Sequence, residues 1–232
     1  DQAVYDKLNP IELGVSAELV RDSARQAAPV IRALGATLPP LLKGYRTKIL
    51  DGNHLSATEH RITELRDTWD APLPGQALVV LDPSLMLTTD IFLCEDGHAQ
   101  ERSLLPEVLN TVERDDLWIA DRNFCTIGFL AGIAARGGSF IIRQHGQLQG
   151  KPVGKREFKG KATMGTVYEQ GLHITDSAGQ TLPLRRITVK LRKATRDGDR
   201  EIHILTSVPA RDADARKVAE LYAKRWGIET MF

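Results

Sequence analysis

Residues 117–143 read LWIADRNFCTIGFLAGIAARGGSFIIR, and the order of the apolar runs in this stretch decides the fold. The first run, Leu117–Ala120, predicts a short buried strand that ends at Asp121. A helix is predicted over Thr126–Arg136, because the run is apolar and Gly137-Gly138 close it. The third run, Ser139–Arg143, predicts another buried strand. Strand, helix and strand at this spacing indicate a βαβ unit in a sheet that helices cover.

The segments on either side of this unit predict further strands and helices. Aliphatic and β-branched runs between turn-forming residues predict strands, and apolar residues at helical spacing predict helices. Before the unit, the predicted elements are strands at Lys48–Asp51, Ala77–Asp82 and Leu85–Cys94, a hairpin turn at Pro83-Ser84 and a helix at Ser103–Arg114. After it, they are a core strand at Glu201–Val208 and a helix from Asp214 onward. The sequence therefore predicts an α/β fold.

The first part of the chain, residues 1–47, predicts a helical lead-in to this fold. Ser16 is a plausible N-cap, and Gly35 followed by Pro39-Pro40 ends the helix. Pro29 is expected to divide it, since proline interrupts the hydrogen bonding of a helix.

The composition is that of an ordinary globular chain, with 42% hydrophobic and 26% charged residues. No run is long and apolar enough to cross a membrane. Two cysteines, Cys94 and Cys125, are too few for a disulfide framework and are expected to pack as small hydrophobic side chains. We therefore expect a reduced, cytoplasmic setting.

Positive charge is concentrated in one segment, although the net charge of the chain is only +1. From Arg143 to Arg200 there are 13 Lys and Arg against 5 Asp and Glu, a balance of +8, which leaves 18 basic and 25 acidic residues elsewhere, a balance of −7. Within it, residues 146–200 contain short alternating stretches such as Thr163–Tyr168 and Arg185–Arg192, which predict a small β-rich insertion. A basic segment in an acidic frame indicates contact with nucleic-acid phosphate. The alternative is a solvated basic loop.

Three acidic residues stand at the edges of predicted core elements. Asp51 is expected to end the first strand, Asp121 ends the strand before the Thr126 helix, and Glu229 lies on the last helix. Catalytic groups of open α/β sheets gather where strands end, and carboxylate oxygens suit Mg²⁺ or Mn²⁺. The alternative is that these acids are ordinary turn residues.

The last helix carries further polar residues that could serve a site. Tyr222, Arg225 and Glu229 follow one another at offsets of three and four residues, so they form one stripe. This stripe lies roughly 60° from the apolar stripe that includes Val218 and Leu221. It therefore borders the buried face, where a site would open. The alternative is an exposed ion pair between Arg225 and Glu229.

These residues stand in motifs that resemble a known family. Tyr222, Arg225 and Glu229 match the Tyr-x2-Arg-x3-Glu part of the YREK signature of DDE-type bacterial insertion-sequence transposases, in the insertion-sequence-four family. Asp51 in Ile-Leu-Asp-Gly-Asn-His and Asp121 in Ile-Ala-Asp-Arg-Asn-Phe look like that family's first and second catalytic acids. The likeness spans about residues 45–232.

The resemblance implies a ribonuclease H-like mixed sheet flanked by helices, with a β-rich insertion before the last catalytic helix. The domains that follow are a lead-in at 1–47 that ends a DNA-binding region, the first part of the core at 48–145, the basic insertion at 146–200 and the end of the core at 201–232. The implied activity is metal-dependent cleavage and strand transfer at transposon ends in cut-and-paste transposition. Asp51, Asp121 and Glu229 would bind two Mg²⁺ or Mn²⁺ ions.

The partners that the resemblance implies are double-stranded DNA, as transposon ends and target, and a second copy of the chain in a synaptic complex, with no membrane. Tyr222 and Arg225 would bind phosphate, and Trp226 would stack on an unpaired base, its alternative being a core tryptophan. Arg122 would contact DNA or the acids, or form a plain salt bridge. The expected contacts of the basic segment with the DNA backbone are Lys155, Arg156, Lys159 and Lys161.

The chain departs from the family pattern at its end. The Lys of YREK would fall seven residues beyond Glu229, past Phe232, so we expect a fragment or a truncated copy. Two other interpretations stay open: a stand-alone nuclease of the same fold, and a remnant that binds DNA or dimerises without catalysis. The sequence has no complete P-loop, no His-Glu-x-x-His zinc motif and no Gly-x-Ser-x-Gly elbow.

Overall fold

The computed structural model describes residues 13–54, 76–94, 100–195 and 198–226, which form a mixed α/β structure. The α-helices are α1 (Leu13–Ala33), α2 (Leu105–Leu109), α3 (Ile127–Ala135) and α4 (Ala215–Trp226), and single 3-10 turns lie at Glu101–Leu104 and Arg122–Phe124. The strands are β1 (Arg46–His54), β2 (Gln76–Asp82), β3 (Leu87–Cys94), β4 (Asp116–Ala120), β5 (Ser139–Arg143), β6 (Lys151–Ala162), β7 (Gly165–Thr175), β8 (Thr181–Leu191) and β9 (Glu201–Thr206). Within these ranges no helix has the length and apolar character that a membrane crossing needs.

The chain divides into two compact units. Unit 1 comprises residues 1–39 and 50–104, and unit 2 comprises residues 40–49 and 105–232. In unit 1 the strand order is β3-β2-β1, and in unit 2 it is β1-β4-β5-β9-β8-β7-β6. The boundary between the units falls between Ile49 and Leu50, within β1. Residues 46–49 of this strand belong to unit 2, and residues 50–54 belong to unit 1.

Unit 1 contains the predicted hairpin. Strands β2 and β3 pair antiparallel, with Asp82 opposite Leu87. The Asp82 carboxylate accepts hydrogen bonds from the backbone and the hydroxyl of Ser84, at 2.8 and 2.6 Å, and so holds the turn. The turn has four residues, and Met86 closes it with a φ of 53°. The predicted hairpin is thus confirmed, but its turn spans residues 83–86 and β3 begins at Leu87, so the prediction of a two-residue turn with a strand from Leu85 was wrong.

Helix α1 differs from its prediction in two respects. Ser16 lies inside the helix, so the prediction that it caps the N-terminus was wrong. The helix also runs through Pro29 without a break, so the predicted division was wrong as well. Its C-terminus is as expected: Gly35 has a φ of 67°, and the amide of Ala36 donates to the carbonyl of Ile31 at 3.0 Å, which ends a helix in the usual glycine-dependent manner.

Unit 2 is built around the predicted βαβ segment. Strands β4 and β5 pair in parallel, with Leu117 opposite Ser139. Thr126 caps α3 by accepting a hydrogen bond from the amide of Phe129, and Gly137 follows the helix with a φ of 76°. Both strands are fully buried over their apolar residues, which is expected for parallel strands that helices cover. The βαβ prediction is confirmed.

A buried carboxylate joins the first half of β1 to the start of β4. Asp116 has no exposed side-chain surface, and it pairs with Lys48 at 3.0 Å and with Arg46 at 3.1 Å. It also accepts a hydrogen bond from the amide of Glu113 at 2.8 Å. A buried charge is tolerated when it is paired and hydrogen-bonded, so this cluster explains a polar residue in the core of unit 2.

The remaining strands of unit 2 are all antiparallel to their neighbours. β5 pairs with β9, β9 with β8, β8 with β7, and β7 with β6. Residues 151–191, predicted to be β-rich, form three strands of 11 or 12 residues that are longer than the short stretches expected from the sequence. Helix α4 packs on these strands and begins after Asp214, whose carboxylate accepts from the amide of Lys217 at 2.7 Å.

One predicted helix is much shorter in the structure. The sequence predicts a helix over Ser103–Arg114, but α2 covers only Leu105–Leu109 after a 3-10 turn. The hydroxyl of Thr111 donates to the carbonyl of Val108 at 2.9 Å, and the amides of Thr111 and Val112 bond three residues back. These tighter bonds end the α-helix at Leu109, so the predicted helix was wrong over residues 103–104, which lie in the 3-10 turn, and over residues 110–114.

Candidate active site

Asp121 is held at the end of the most buried strand of unit 2. All five residues of β4 are buried, and the chain leaves the strand at Asp121 with φ −77° and ψ 172°. The carboxylate accepts a hydrogen bond from the amide of Arg122 at 2.5 Å, which caps the 3-10 turn that follows. Strand and turn together fix the direction of this half-buried side chain. The prediction that Asp121 stands at the end of a buried strand is thus confirmed.

Tyr222 and Arg225 lie on the face of α4 that packs into unit 2. Tyr222 has no exposed surface and Arg225 is only 5% exposed. The guanidinium carbon of Arg225 lies 5.9 Å from the centre of the Tyr222 ring. The sequence predicts that these residues border the buried face, but the structure places them within it. The alternative of an exposed ion pair is therefore wrong for the Arg225 side chain.

The pKa of Tyr222 shows which charged groups surround its hydroxyl. Burial raises this pKa from the usual 10.0 to about 12. The Arg225 guanidinium acts in the opposite direction, the Asp121 carboxylate raises the pKa further, and Arg143 lowers it. Asp121, Tyr222, Arg225 and Arg143 are therefore close enough to interact electrostatically. The structure brings together two predicted residues of the last helix with the second predicted acid.

Arg143 is a residue that the sequence analysis did not select. It ends β5, the parallel neighbour of β4, and Ala120 pairs with Ile142 in this register. The next residues along the two strands are Asp121 and Arg143, so both leave the sheet at the same edge. The sequence did contain a signal for Arg143, because Asp121 and Arg143 each come directly after an apolar run.

Asp199 connects Arg143 to Arg122 and was also missed. The Asp199 carboxylate accepts a hydrogen bond from the Arg143 guanidinium. The same oxygen lies 3.6 Å from Nη1 of Arg122. Arg122 therefore forms an ion pair, which is one of the alternatives that the sequence analysis gave for this residue. No sequence pattern marks Asp199, which stands in a loop between β8 and β9.

Asp51 lies in unit 1 and does not end its strand. β1 continues for three residues beyond it, to His54, so the prediction that Asp51 ends the strand was wrong. Its carboxylate accepts from the amide of Gly52 at 3.1 Å. A Cβ on Gly52 would lie 2.3 Å from a carboxylate oxygen of Glu101, so a second acid approaches the backbone one residue from Asp51. Glycine at position 52 permits that approach, and Glu101 is a further acid that the sequence analysis missed.

The predicted cations of the basic segment lie on β6. Lys155, Arg156, Lys159 and Lys161 are all exposed. Arg156 forms two hydrogen bonds with Glu201, at 3.3 and 3.0 Å, and its guanidinium lies 4.4 Å from the centre of the Tyr168 ring. Lys159 pairs with Glu157 at 2.7 Å, and this hydrogen bond raises the pKa of Lys159. The four cations therefore form an exposed basic strand, two members of which already have an acidic neighbour.

Two predicted site residues cannot be placed in the same way. Glu229 lies outside the described residues, and so does the side chain of Trp226, although its backbone ends α4. Within the described ranges no group of three or more His, Cys, Asp and Glu side chains could hold a metal ion.

The fold and the site together define a class of protein. The structure is a mixed α/β sheet with helices, in which an acid at a strand end and two arginines act electrostatically on a buried tyrosine. Carboxylates and guanidinium groups in one place are typical of sites that act on phosphate esters.

Comparison with protein families identifies that class more closely. Residues 43–232 match the family described as the transposase DDE domain, so the chain belongs to that family. Members of this family act on DNA in transposition and generally use divalent metal ions. No curated protein matches the chain. The expectation of a DDE-type transposase is thus confirmed.

Proposed function

We propose that this chain is the catalytic part of a DNA transposase that cleaves transposon ends and joins them to target DNA in cut-and-paste transposition. The observation that carries the proposal is the family match over residues 43–232, in a chain where Asp121 lies among Arg143, Tyr222 and Arg225. Within the family we place the chain in the insertion-sequence-four group with the YREK signature. Its core is ribonuclease H-like, residues 146–200 are its β-rich insertion, and residues 1–47 end a DNA-binding region.

Asp51, Asp121 and Glu229 are the proposed metal ligands. A set of three carboxylates offers hard oxygen donors, which fit Mg²⁺ or Mn²⁺ and do not favour zinc. Asp121 suits this role because it is only half-buried and its backbone is fixed by a buried strand. Two bound ions would supply activation of the attacking hydroxyl and stabilisation of the leaving oxygen in an in-line displacement at phosphorus.

The other residues of the site would hold the DNA strand. The Arg143 side chain is only 11% exposed, and Arg225 is buried, so an anion beside them would interact in an environment of reduced solvent screening. A guanidinium can bind a phosphate through two parallel hydrogen bonds, and the protonated Tyr222 hydroxyl can donate one more. These contacts would align the scissile phosphate beside Asp121. Arg122 and Trp226 complete the proposed contacts near the reacting strand.

The exposed cations of β6 would contact the DNA backbone outside the site. Lys155, Arg156, Lys159 and Lys161 are all accessible to a partner. Contacts of this kind are independent of sequence and depend strongly on salt. We propose that transposon ends and target DNA are bound by two copies of the chain in a synaptic complex, in the cytoplasm of a bacterium.

Substitution of the acids tests the proposal. We expect Asp121→Asn and Glu229→Gln each to reduce Mg²⁺-dependent nicking and strand transfer by at least about 100-fold, because each removes a charged metal ligand. Glu220→Gln is the matched control, since Glu220 is an exposed acid on the same helix as Tyr222. The assays use labelled duplex DNA and should separate nicked from joined products.

Undiminished nicking by either variant would contradict the proposed site. Nicking without joining by the unaltered chain would instead indicate a nuclease of the same fold. DNA binding that is indifferent to Mg²⁺ and to Asp121→Asn, without any cleavage, would indicate a non-catalytic remnant.

A further inference from the structure

The Arg143 guanidinium is a nearly buried charge that requires an anion. Only 11% of its side chain is exposed, and removing such a charge from water without a partner is costly. In the structure the anion is Asp199, whose carboxylate accepts a hydrogen bond from Arg143. Any other anion that binds Arg143 must therefore compete with Asp199.

The Asp199 carboxylate lies where a phosphate oxygen would be expected. One of its oxygens faces both Arg143 and, at 3.6 Å, Nη1 of Arg122. Arg122 directly follows Asp121, and Arg143 and Asp121 both influence the pKa of Tyr222, in opposite directions. Carboxylate and phosphate are the two anions that guanidinium groups bind with the same donor geometry. The acid thus occupies an anion position next to the proposed cleavage site.

Asp199 is also built so that its side chain can leave without disrupting its loop. The amide of Thr195 donates to the carbonyl of Asp199 at 2.9 Å, and the amide of Asp199 donates to the hydroxyl of Thr195 at 3.0 Å. The carboxylate also accepts a longer hydrogen bond from the Thr195 hydroxyl, at 3.5 Å, but the two bonds to the backbone of Asp199 do not depend on it. The side chain is 37% exposed, so water could solvate it after it leaves the arginines.

We propose that Asp199 takes the place of a DNA phosphate at Arg143 and Arg122 in the DNA-free protein and is displaced when the strand enters beside Asp121. This inference rests on the proposed function. Asp199 neutralises the two arginines in the absence of DNA, and the ion pair that must be broken lowers the affinity for DNA. A phosphate that reaches this position displaces the carboxylate, whereas an anion elsewhere on the surface leaves the ion pair intact.

Removal of the carboxylate charge should therefore strengthen DNA binding. We expect Asp199→Asn to bind a labelled duplex of arbitrary sequence roughly tenfold more tightly than the unaltered chain, because a competing internal anion reduces the binding-competent fraction. The measurement is fluorescence anisotropy without divalent metal, so that cleavage does not interfere. Glu107→Gln removes the same charge from an exposed position on α2 and should change the affinity less than about twofold.

A double substitution separates this mechanism from a general effect of charge. In an Arg143→Gln background, Asp199→Asn should produce no further gain, since the arginine for which the anions compete is absent. Asp199→Ser serves as the second variant if the asparagine protein does not fold, because the backbone bonds of the loop remain.

The outcomes distinguish this inference from the proposed function. If Arg143→Gln weakens DNA binding but Asp199→Asn binds no more tightly than Glu107→Gln, the inference is overturned and the proposed function stands. A gain that persists without Arg143 overturns it as well. If the unaltered chain does not bind DNA, or Arg143→Gln binds as well as the unaltered chain, the phosphate site itself is overturned and the inference with it.

Discussion

Tyr222 shows how burial determines the chemistry of one side chain. Its hydroxyl has lost contact with solvent, and its pKa rises to about 12 because the phenolate is poorly stabilised there. The two arginines reduce this effect but do not cancel it. The hydroxyl therefore remains protonated at physiological pH. It can donate a hydrogen bond to an oxygen anion, as its proposed role requires.

The raised pKa predicts how stability depends on pH. The neutral phenol is favoured in the folded chain, so its stabilising contribution is complete below pH 10 and is lost as the pH rises to about 12. Over this window the free energy of unfolding should fall by up to about 1.4 kcal/mol per pH unit more steeply than in Tyr222→Phe. Urea denaturation of both proteins at several pH values measures the difference. Equal slopes would show that the hydroxyl titrates normally.

Helix α1 forms although it contains a proline, a residue that disfavours the interior of a helix. Pro29 lies in the helix interior, where it cannot donate the hydrogen bond to the carbonyl four residues earlier. Contacts with β3 compensate: Arg21 pairs with Asp90 at 2.6 Å, and its guanidinium lies 5.8 Å from the ring centre of Phe92. The side of α1 that carries Ala17 and Ala24 is buried. The helix is therefore maintained by packing rather than by its local sequence.

The cost of Pro29 can be measured directly. Pro29 is exposed, so Pro29→Ala removes no packing and restores one backbone hydrogen bond. We expect the free energy of unfolding to rise by about 1–3 kcal/mol. Pro39→Ala is the control, because Pro39 lies in the irregular segment after the helix, where loss of a proline should be neutral or slightly destabilising. A loss of stability in Pro29→Ala would mean that the proline ring itself contributes to the fold.

At the scale of the whole chain, charge is separated between the basic segment and the rest. The basic strand β6 places its lysines on the surface, where water solvates them and DNA could reach them. Exposed lysines also protect an edge strand from pairing with another sheet, so their presence has a structural reason as well. The two reasons predict different responses of DNA binding to salt.

The salt dependence of DNA binding distinguishes these reasons. If Lys155 and Lys161 contact phosphate, Lys155→Gln/Lys161→Gln should reduce the slope of log K against log salt by about 1.8, at roughly 0.9 for each lost contact. The matched control is Lys43→Gln/Arg114→Gln, which removes two exposed cations outside the basic segment. Equal slopes for the two double variants would mean that β6 does not contact the DNA backbone.

Much of the local structure was predictable from short stretches of the chain. The βαβ unit, the hairpin at Pro83-Ser84 and the end of α1 at Gly35 follow from apolar spacing and from glycine and turn residues that lie next to one another in the sequence. The failures were also local in origin. Pro29 and Ser16 carry ordinary helix-breaking and helix-starting signals, but helix α1 begins before Ser16 and runs through Pro29.

The surroundings of Asp121 required the folded chain. Its place after a buried strand was readable from residues 117–143, and the family resemblance pointed to Tyr222 and Arg225. Arg143 and Asp199 become its neighbours only through strand order and register, which join segments more than 20 residues apart in the sequence. Helix ends and apolar periodicity depend on residues a few positions apart, so a short stretch of sequence is enough to predict them. The charge around Asp121 depends on which distant segments pack together: the place of Arg143 after an apolar run was readable from the sequence, but its pairing with Asp199 was not.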